Sequence, residues 1–335
     1  GLTIIAHDVL ISDGSSLTTE TLDSGDAGPL TISAVNLHLT NGGQIKSGSR
    51  QGIDPNTGLP VPFLPSGSGG TVTIQGQAGP AASILIDGQR TVERAGHQVV
   101  IASGIISNAE GTGPAGNIVV NANTVTIQNG GTISASTTGS DARAIGGSII
   151  VNATDRVTMT NGGSVSASSG GPGNAGNISI NAGQQLDLSG KSSITTEAKQ
   201  ASGGDIKLQA IDRIRFVDST LSASVSDGPG GGGNISIDPK LVLLQNSTVV
   251  AQADQGTGGR IAIRADSFLA DANSVVNADA GRGVNGTVTI QSPTSNLSGT
   301  VGQLVSKLSP PQVLLQNRCV ALAGGEQSTF LLSGR

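Results

Sequence analysis

The stretch from Ala115 to Ala122, AGNIVVNA, returns with small changes along most of the chain, and this recurrence restricts the fold more than any other feature. Further copies run GGSIIVNA from Gly146, AGNISINA from Ala175, GGDIKLQA from Gly203, GGNISID from Gly232 and GGRIAIRA from Gly258. The second glycine of each copy (Gly116, Gly147, Gly176, Gly204, Gly233, Gly259, then Gly286) marks intervals of 31, 29, 28, 29, 26 and 27 residues. A unit that short cannot bury its own apolar side chains, so successive units must stack, which makes the chain a solenoid.

Within each interval, apolar residues recur at every second position in three bursts, the strand period. After Gly116 these are Ile118 and Val120, Val125 and Ile127, then Ile133 and Ala135; the next unit repeats them as Ile149 and Val151, Val157 and Met159, Val165 and Ala167. Three strands per coil, each with one inward face, predict an all-β chain: a right-handed parallel β-helix of triangular section with roughly ten coils, paired between coils at about 4.8 Å. Asn41, Asn129, Asn161, Asp218 and Asn246 fall at matching places after the second burst. Asn tolerates the left-handed backbone a sharp corner needs, and stacked amides can hydrogen-bond from coil to coil.

Gly28 and Gly70 extend the marker series upstream with longer intervals of 42 and 46 residues. The excess falls in two insertions. Arg50 to Ser68 is rich in proline, which cannot donate to a strand ladder, and predicts an outward loop. Gln89 to Gln98 is read as a second outward loop, between a strand at Ile84 to Ile86 and another near Val99 to Ile101. Solenoid insertions project from one side and carry binding functions, so Arg50, Arg90, Glu93, Arg94 and His97 are the candidate partner-binding residues. Residues 1–292 are read as the solenoid. From Pro293 the alternation fails, and 293–335 is expected to form a cap and tail, with a short helix near Val301 to Leu308 ahead of Pro310-Pro311.

Aromatic residues make up only 1% of the chain, with no Trp or Tyr, so aliphatic side chains must fill the core. A net charge of −5 leaves no basic footprint for nucleic acid. The single cysteine, Cys319, excludes an intrachain disulfide and reads as a small buried residue. No apolar stretch is long enough to cross a membrane as a helix. The chain opens on Gly1-Leu2-Thr3-Ile4-Ile5 without Met or a signal sequence, inside what reads as a strand, and a piece of a longer protein is expected.

Chemistry finds few footholds. Asp155 and Asp212 lie at matching positions, with Asp266 nearby in its coil, each at a turn where Asp is locally favoured, and no Trp or Tyr stands by to stack on a sugar. No calcium-binding nonapeptide array is present, and His7, His38 and His97 read as surface residues rather than ligands. Gly230 to Gly233 lacks the Lys-Ser or Lys-Thr of a phosphate loop and reads as a turn between coils. No catalytic residue, metal or cofactor is assigned. An ice-binding face would need long Thr ladders, and pairs such as Thr71 and Thr73 do not recur.

These coils, the stretch AASILIDG from Ala81 and the tail from Cys319-Val320-Ala321 through Gly324-Gly325 to Phe330-Leu331-Leu332-Ser333-Gly334-Arg335 resemble the C-terminal part of filamentous-haemagglutinin-like exoproteins. Those are secreted partners of two-partner secretion systems in cyanobacteria and other Gram-negative bacteria. The resemblance implies an outer-membrane β-barrel transporter as partner of the parent protein and a secreted or cell-surface adhesin without enzymatic activity. Its receptor, whether host cell, matrix or glycan, stays open. The family's N-terminal secretion domain has no counterpart here. The alternative is a polysaccharide-binding or polysaccharide-degrading β-helix of the lyase or tailspike type.

Overall fold

The structure is a computed structural model and describes residues 1–52, 61, 64–94 and 96–297. Among these every regular element is a strand, and all pairings but one are parallel. Ten levels stack in the first strand column: Leu2–Ile11, Leu30–Thr40, Val72–Gln75, Ile118–Gln128, Ile149–Thr160, Ile178–Asn181, Ile206–Gln209, Ile235–Asp238, Arg260–Arg264 and Thr287–Gln291. The second column joins the first in one 16-stranded sheet, and the third forms a separate 9-stranded sheet. The expected solenoid of about ten coils is what the chain builds.

The three bursts of each coil do not always make three strands. In Leu2–Ile11, Leu30–Thr40, Ile118–Gln128 and Ile149–Thr160 the first two run on as one strand. The corner lengthens at Ile149–Thr160: Ala122 pairs with Ala153, but Thr124 pairs with Arg156, so one extra residue enters there. Later coils keep the longer corner and break there, at Gly183 with φ +59° between Ile178–Asn181 and Gln185–Ser189.

Exact register puts like side chains over one another. One column reads Leu2, Leu30, Val72, Ile118, Ile149, Ile178, Ile206, Ile235, Ile261, Val288, and from Leu30 to Ile261 every member is buried. Another holds Met159, Leu188, Phe216 and Leu244, so one of the few rings is clamped between two leucines. A fourth line of contact consists of single bridges from Thr21 through Ser49, Ala109, Thr137, Ser169 and Ala198 to Ala280.

The marker glycines have a steric cause. A β-carbon on Gly116, Gly147, Gly176, Gly204, Gly233, Gly259 or Gly286 would overlap the carbonyl oxygen of the marker glycine one coil earlier, and Gly116 stands in the same way over Gly70. Each of these N–H groups also donates to the end of the preceding third strand, as from Gly147 to Ala135 and Gly176 to Ala167, both at 2.7 Å. The repeat therefore closes each coil through a backbone strut that only glycine can occupy.

Two sequence expectations change. The second insertion is not a loop ending at Gln98: Gln89–Arg94 and His97–Ala102 pair antiparallel as a hairpin, with Gly96 at φ +77° in its turn. Val99 to Ile101 therefore belongs to the hairpin, and the coil resumes at Gly104–Ile106. The expected end of the rhythm at Pro293 comes too early, because Thr294–Leu297 still pairs in register with Ser267–Ala270. The expected helix near Val301 to Leu308, the tail and Cys319 lie outside the described residues, as do 53–60 of the proline-rich insertion.

Candidate functional site

The insertions place the predicted residues on separate parts of the surface. Arg50 follows the third strand column, and its Nε lies 3.3 Å from the carboxylate of Glu20. The neck of that insertion is tied by the N–H of Val61, donating to the carbonyl of Gly52 at 2.9 Å, and by the amide of Gln51, donating to the carbonyl of Val61 at 2.8 Å. The hairpin starts instead at the corner between the second and third columns. Arg90 turns back from it onto earlier coils: its guanidinium donates to the carbonyl of Asp13, and its β-carbon lies against Gly42. Arg90 thus fastens the hairpin to the solenoid. Exposed Glu93 and His97 stand near the hairpin turn, where Arg94 pairs with His97 in backbone register. On the hairpin's outer face Val100 is 56% exposed.

The acids of interest sit at the corner between the first and second columns. Asp155 is met by Arg156 at 3.0 Å, and Asp212 by Lys240 at 3.5 Å. Both occupy the same place in coils two levels apart, about 10 Å along the axis. At Asp266 it is the backbone carbonyl that engages, accepting from Ser292 at 3.3 Å. His7 lies 2.9 Å from Asp8, whose carboxyl is held below its ordinary range by the amide of Asn36 and then by His7. Among the described residues no three His, Cys, Asp or Glu converge as a metal-ligand set.

Polar ladders cover the outside. At the left-handed corner, Asn41 donates to Asp13 at 2.5 Å, Asn129 to Asp87 at 2.7 Å, Asn161 to Asn129 at 3.2 Å and Asn246 to Asp218 at 2.6 Å. The expected positions carry positive φ: Asn41, Asn129, Asn161, Asp218 and Asn246 all lie between +46° and +53°. On the second column, Arg213 grips Asp187 through two nitrogens, at 3.1 and 2.9 Å, and this carboxylate raises the guanidinium above its ordinary range.

The surface feature that sequence reasoning passed over is a shallow groove of about 480 Å³ along the corner between the first and second columns. Its wall is the last outward position of the repeated motif, where Asn121, Asn152 and Asn181 stand in successive coils. Buried Ala153 and half-buried Gly183 form the floor, and exposed Pro80 and Ile211 border it. No charged side chain lines it. The signal lay in the motif itself, whose last outward residue is Asn in three successive copies.

Compared with protein-family models, with curated proteins and with solved structures, the chain matches none.

Proposed function

We propose that this chain is a rigid, non-enzymatic segment of a secreted or cell-surface adhesin, of the filamentous-haemagglutinin-like kind its coils and tail resemble. The observation that carries the reading is the unbroken register of aliphatic columns through ten levels. Ten levels at about 4.8 Å each give residues 1–297 an axial length of roughly 45 Å. Such a body holds a projecting element at a fixed distance from its base. The hairpin is that element, anchored by Arg90 at its root and carrying Glu93 and His97 near its turn. The parent protein would cross the outer membrane through a β-barrel transporter and meet a host-cell, matrix or glycan receptor outside.

The test joins the chain to a two-partner secretion domain and expresses it with the matching transporter in a Gram-negative host. The expected result is protease-accessible chain at the cell surface, with adhesion to host cells or matrix that is lost when Gln89 to Ala102 is replaced by a two-residue turn. Retention inside the cell, adhesion indifferent to the hairpin, or new reducing or unsaturated ends from acidic or neutral glycans would overturn it. The last of these would favour the polysaccharide-degrading alternative.

A further inference from the structure

We infer that the amide-walled groove at Asn121, Asn152 and Asn181 binds an extended, uncharged polysaccharide running along the solenoid axis. The inference does not depend on the adhesin reading, since it concerns a different face from the hairpin. Three observations lead to it. First, the amides are pre-set. Asn152 Nδ2 donates to Asn121 Oδ1 at 2.9 Å, and Asn181 Oδ1 accepts from the N–H of Gly183 at 3.3 Å. Among the described residues this leaves Asn121 Nδ2, Asn152 Oδ1 and Asn181 Nδ2 without a protein partner, so donors and acceptors alternate along the groove. A hydroxyl group is at once donor and acceptor and suits such a row.

Second, the lining is uncharged, and the nearby charges of Asp155 and Asp212 are already met by Arg156 and Lys240. Nothing there compensates an acidic ligand for lost hydration. Ile211, 55% exposed, and Pro80 instead offer apolar surface for the C–H faces of sugar rings. Third, the spacing selects. The amides repeat at the coil rise of about 4.8 Å, whereas like groups of an extended peptide repeat every two residues, at about 6.7 Å. A peptide laid along the axis falls out of step within two coils. A pyranose linked through opposite ends of its ring advances by nearly one coil and stays in step.

The experiment titrates the whole chain with cellohexaose, xylohexaose and mannohexaose, with an oligogalacturonate and an extended Ser/Thr-rich peptide alongside, using calorimetry and protein-observed NMR. At least one neutral hexasaccharide is expected to bind, shifting amide signals of residues 152–154 and 181–183. The doubly substituted Asn152→Ala, Asn181→Ala chain should bind it roughly tenfold more weakly, the equivalent of one or two hydrogen bonds. Both residues are exposed, so the melting temperature should hold; should that chain misfold, Ile211→Ser supplies the second variant. No binding by any neutral hexasaccharide, binding unchanged in correctly folded variants, or equal binding of the oligogalacturonate or the peptide would overturn the inference.

Discussion

At the scale of single residues, two kinds of position hold the repeat, and they differ in what they tolerate. The marker glycines are sterically exclusive. Gly176→Ala drives a methyl group into the carbonyl of Gly147, and we expect a loss of about 1–3 kcal/mol or more from overpacking. Gly25→Ala meets nothing within 4 Å and should melt as the parent does, so thermal denaturation of the pair separates steric exclusion from backbone entropy. The corner asparagines are conformationally demanding instead. Asn161, at φ +51°, should accept Gly at the cost of its amide bond to Asn129 alone, while Ala loses that bond and costs about 1–2 kcal/mol more for the left-handed backbone. Paired melts of the two variants check this. Both classes were legible in the sequence, because steric demands repeated once per coil leave a periodic trace. The groove amides left the same trace, but an outward Asn on a strand reads as solvated surface until the bulge at Ala122 and the turn at Gly183 bring three of them along a common edge.

Acid sensitivity is also set residue by residue. Asp8, Asp13, Asp254 and Asp271 are each held below the usual carboxylate range: by Asn36 and His7, by Ser12 and Asn41, by Arg282, and by the hydroxyl of Ser274 with the backbone of Asn246. A depressed folded-state value means that the unfolded chain takes up the proton first as pH falls. The stabilisation is therefore whole above the unfolded value of about 3.9 and drains away as pH drops through the lower folded values. Melting temperature should be nearly flat from pH 7 to 5 and decline below about pH 4. A curve that instead rises on acidification would refute the assigned bonds. Asp8 and Asp13 are exposed and Asp254 and Asp271 half-buried; the Asp254–Arg282 pair is still open to solvent on its arginine side, so added salt should shrink its contribution.

At the scale of elements, the hairpin is an addition to a coil that is complete without it. Gly88 and Ser103 bracket it, and the N–H of Ser103 donates to the carbonyl of Gly88 at 2.9 Å, which closes the neck. Replacing Gln89 to Ala102 with a short turn should leave the parallel-sheet circular dichroism unchanged and the melting temperature within a few degrees. The losses are the Arg90–Asp13 contact, the bond from the Gln44 amide to the carbonyl of Ala102 at 2.9 Å and the cover over Gly42. Collapse of the fold on excision would mean that the hairpin nucleates the first coils. The sequence held the signal for this element: GQRTVER and HQVVIA are two strand-like runs flanking Ala95-Gly96. It was divided wrongly because the second run imitates a coil strand, and only the pairing partner distinguishes the two. The same limit explains the fused strands. Alternation shows where inward side chains fall, but a one-residue bulge and a full turn between two bursts look alike in sequence.

At the scale of the whole solenoid, stability is a sum over neighbours, because each inner coil of residues 1–297 is paired with the one above and the one below. A cavity should therefore be felt locally before it is felt globally. Leu188 is buried between Met159 and Phe216 in successive coils. Leu188→Ala removes packing from both and should cost about 2–5 kcal/mol. In a globular core that loss would lower protection throughout. Here, native-state hydrogen exchange should accelerate most in Ile149–Thr160, Gln185–Ser189 and Arg213–Val217, and leave Leu30–Thr40 close to its original protection. If the acceleration were uniform from Leu2–Ile11 to Thr287–Gln291, the coils would be melting as one cooperative unit. The additive picture, and with it the idea that such a body can be lengthened coil by coil without altering its surface sites, would then fail.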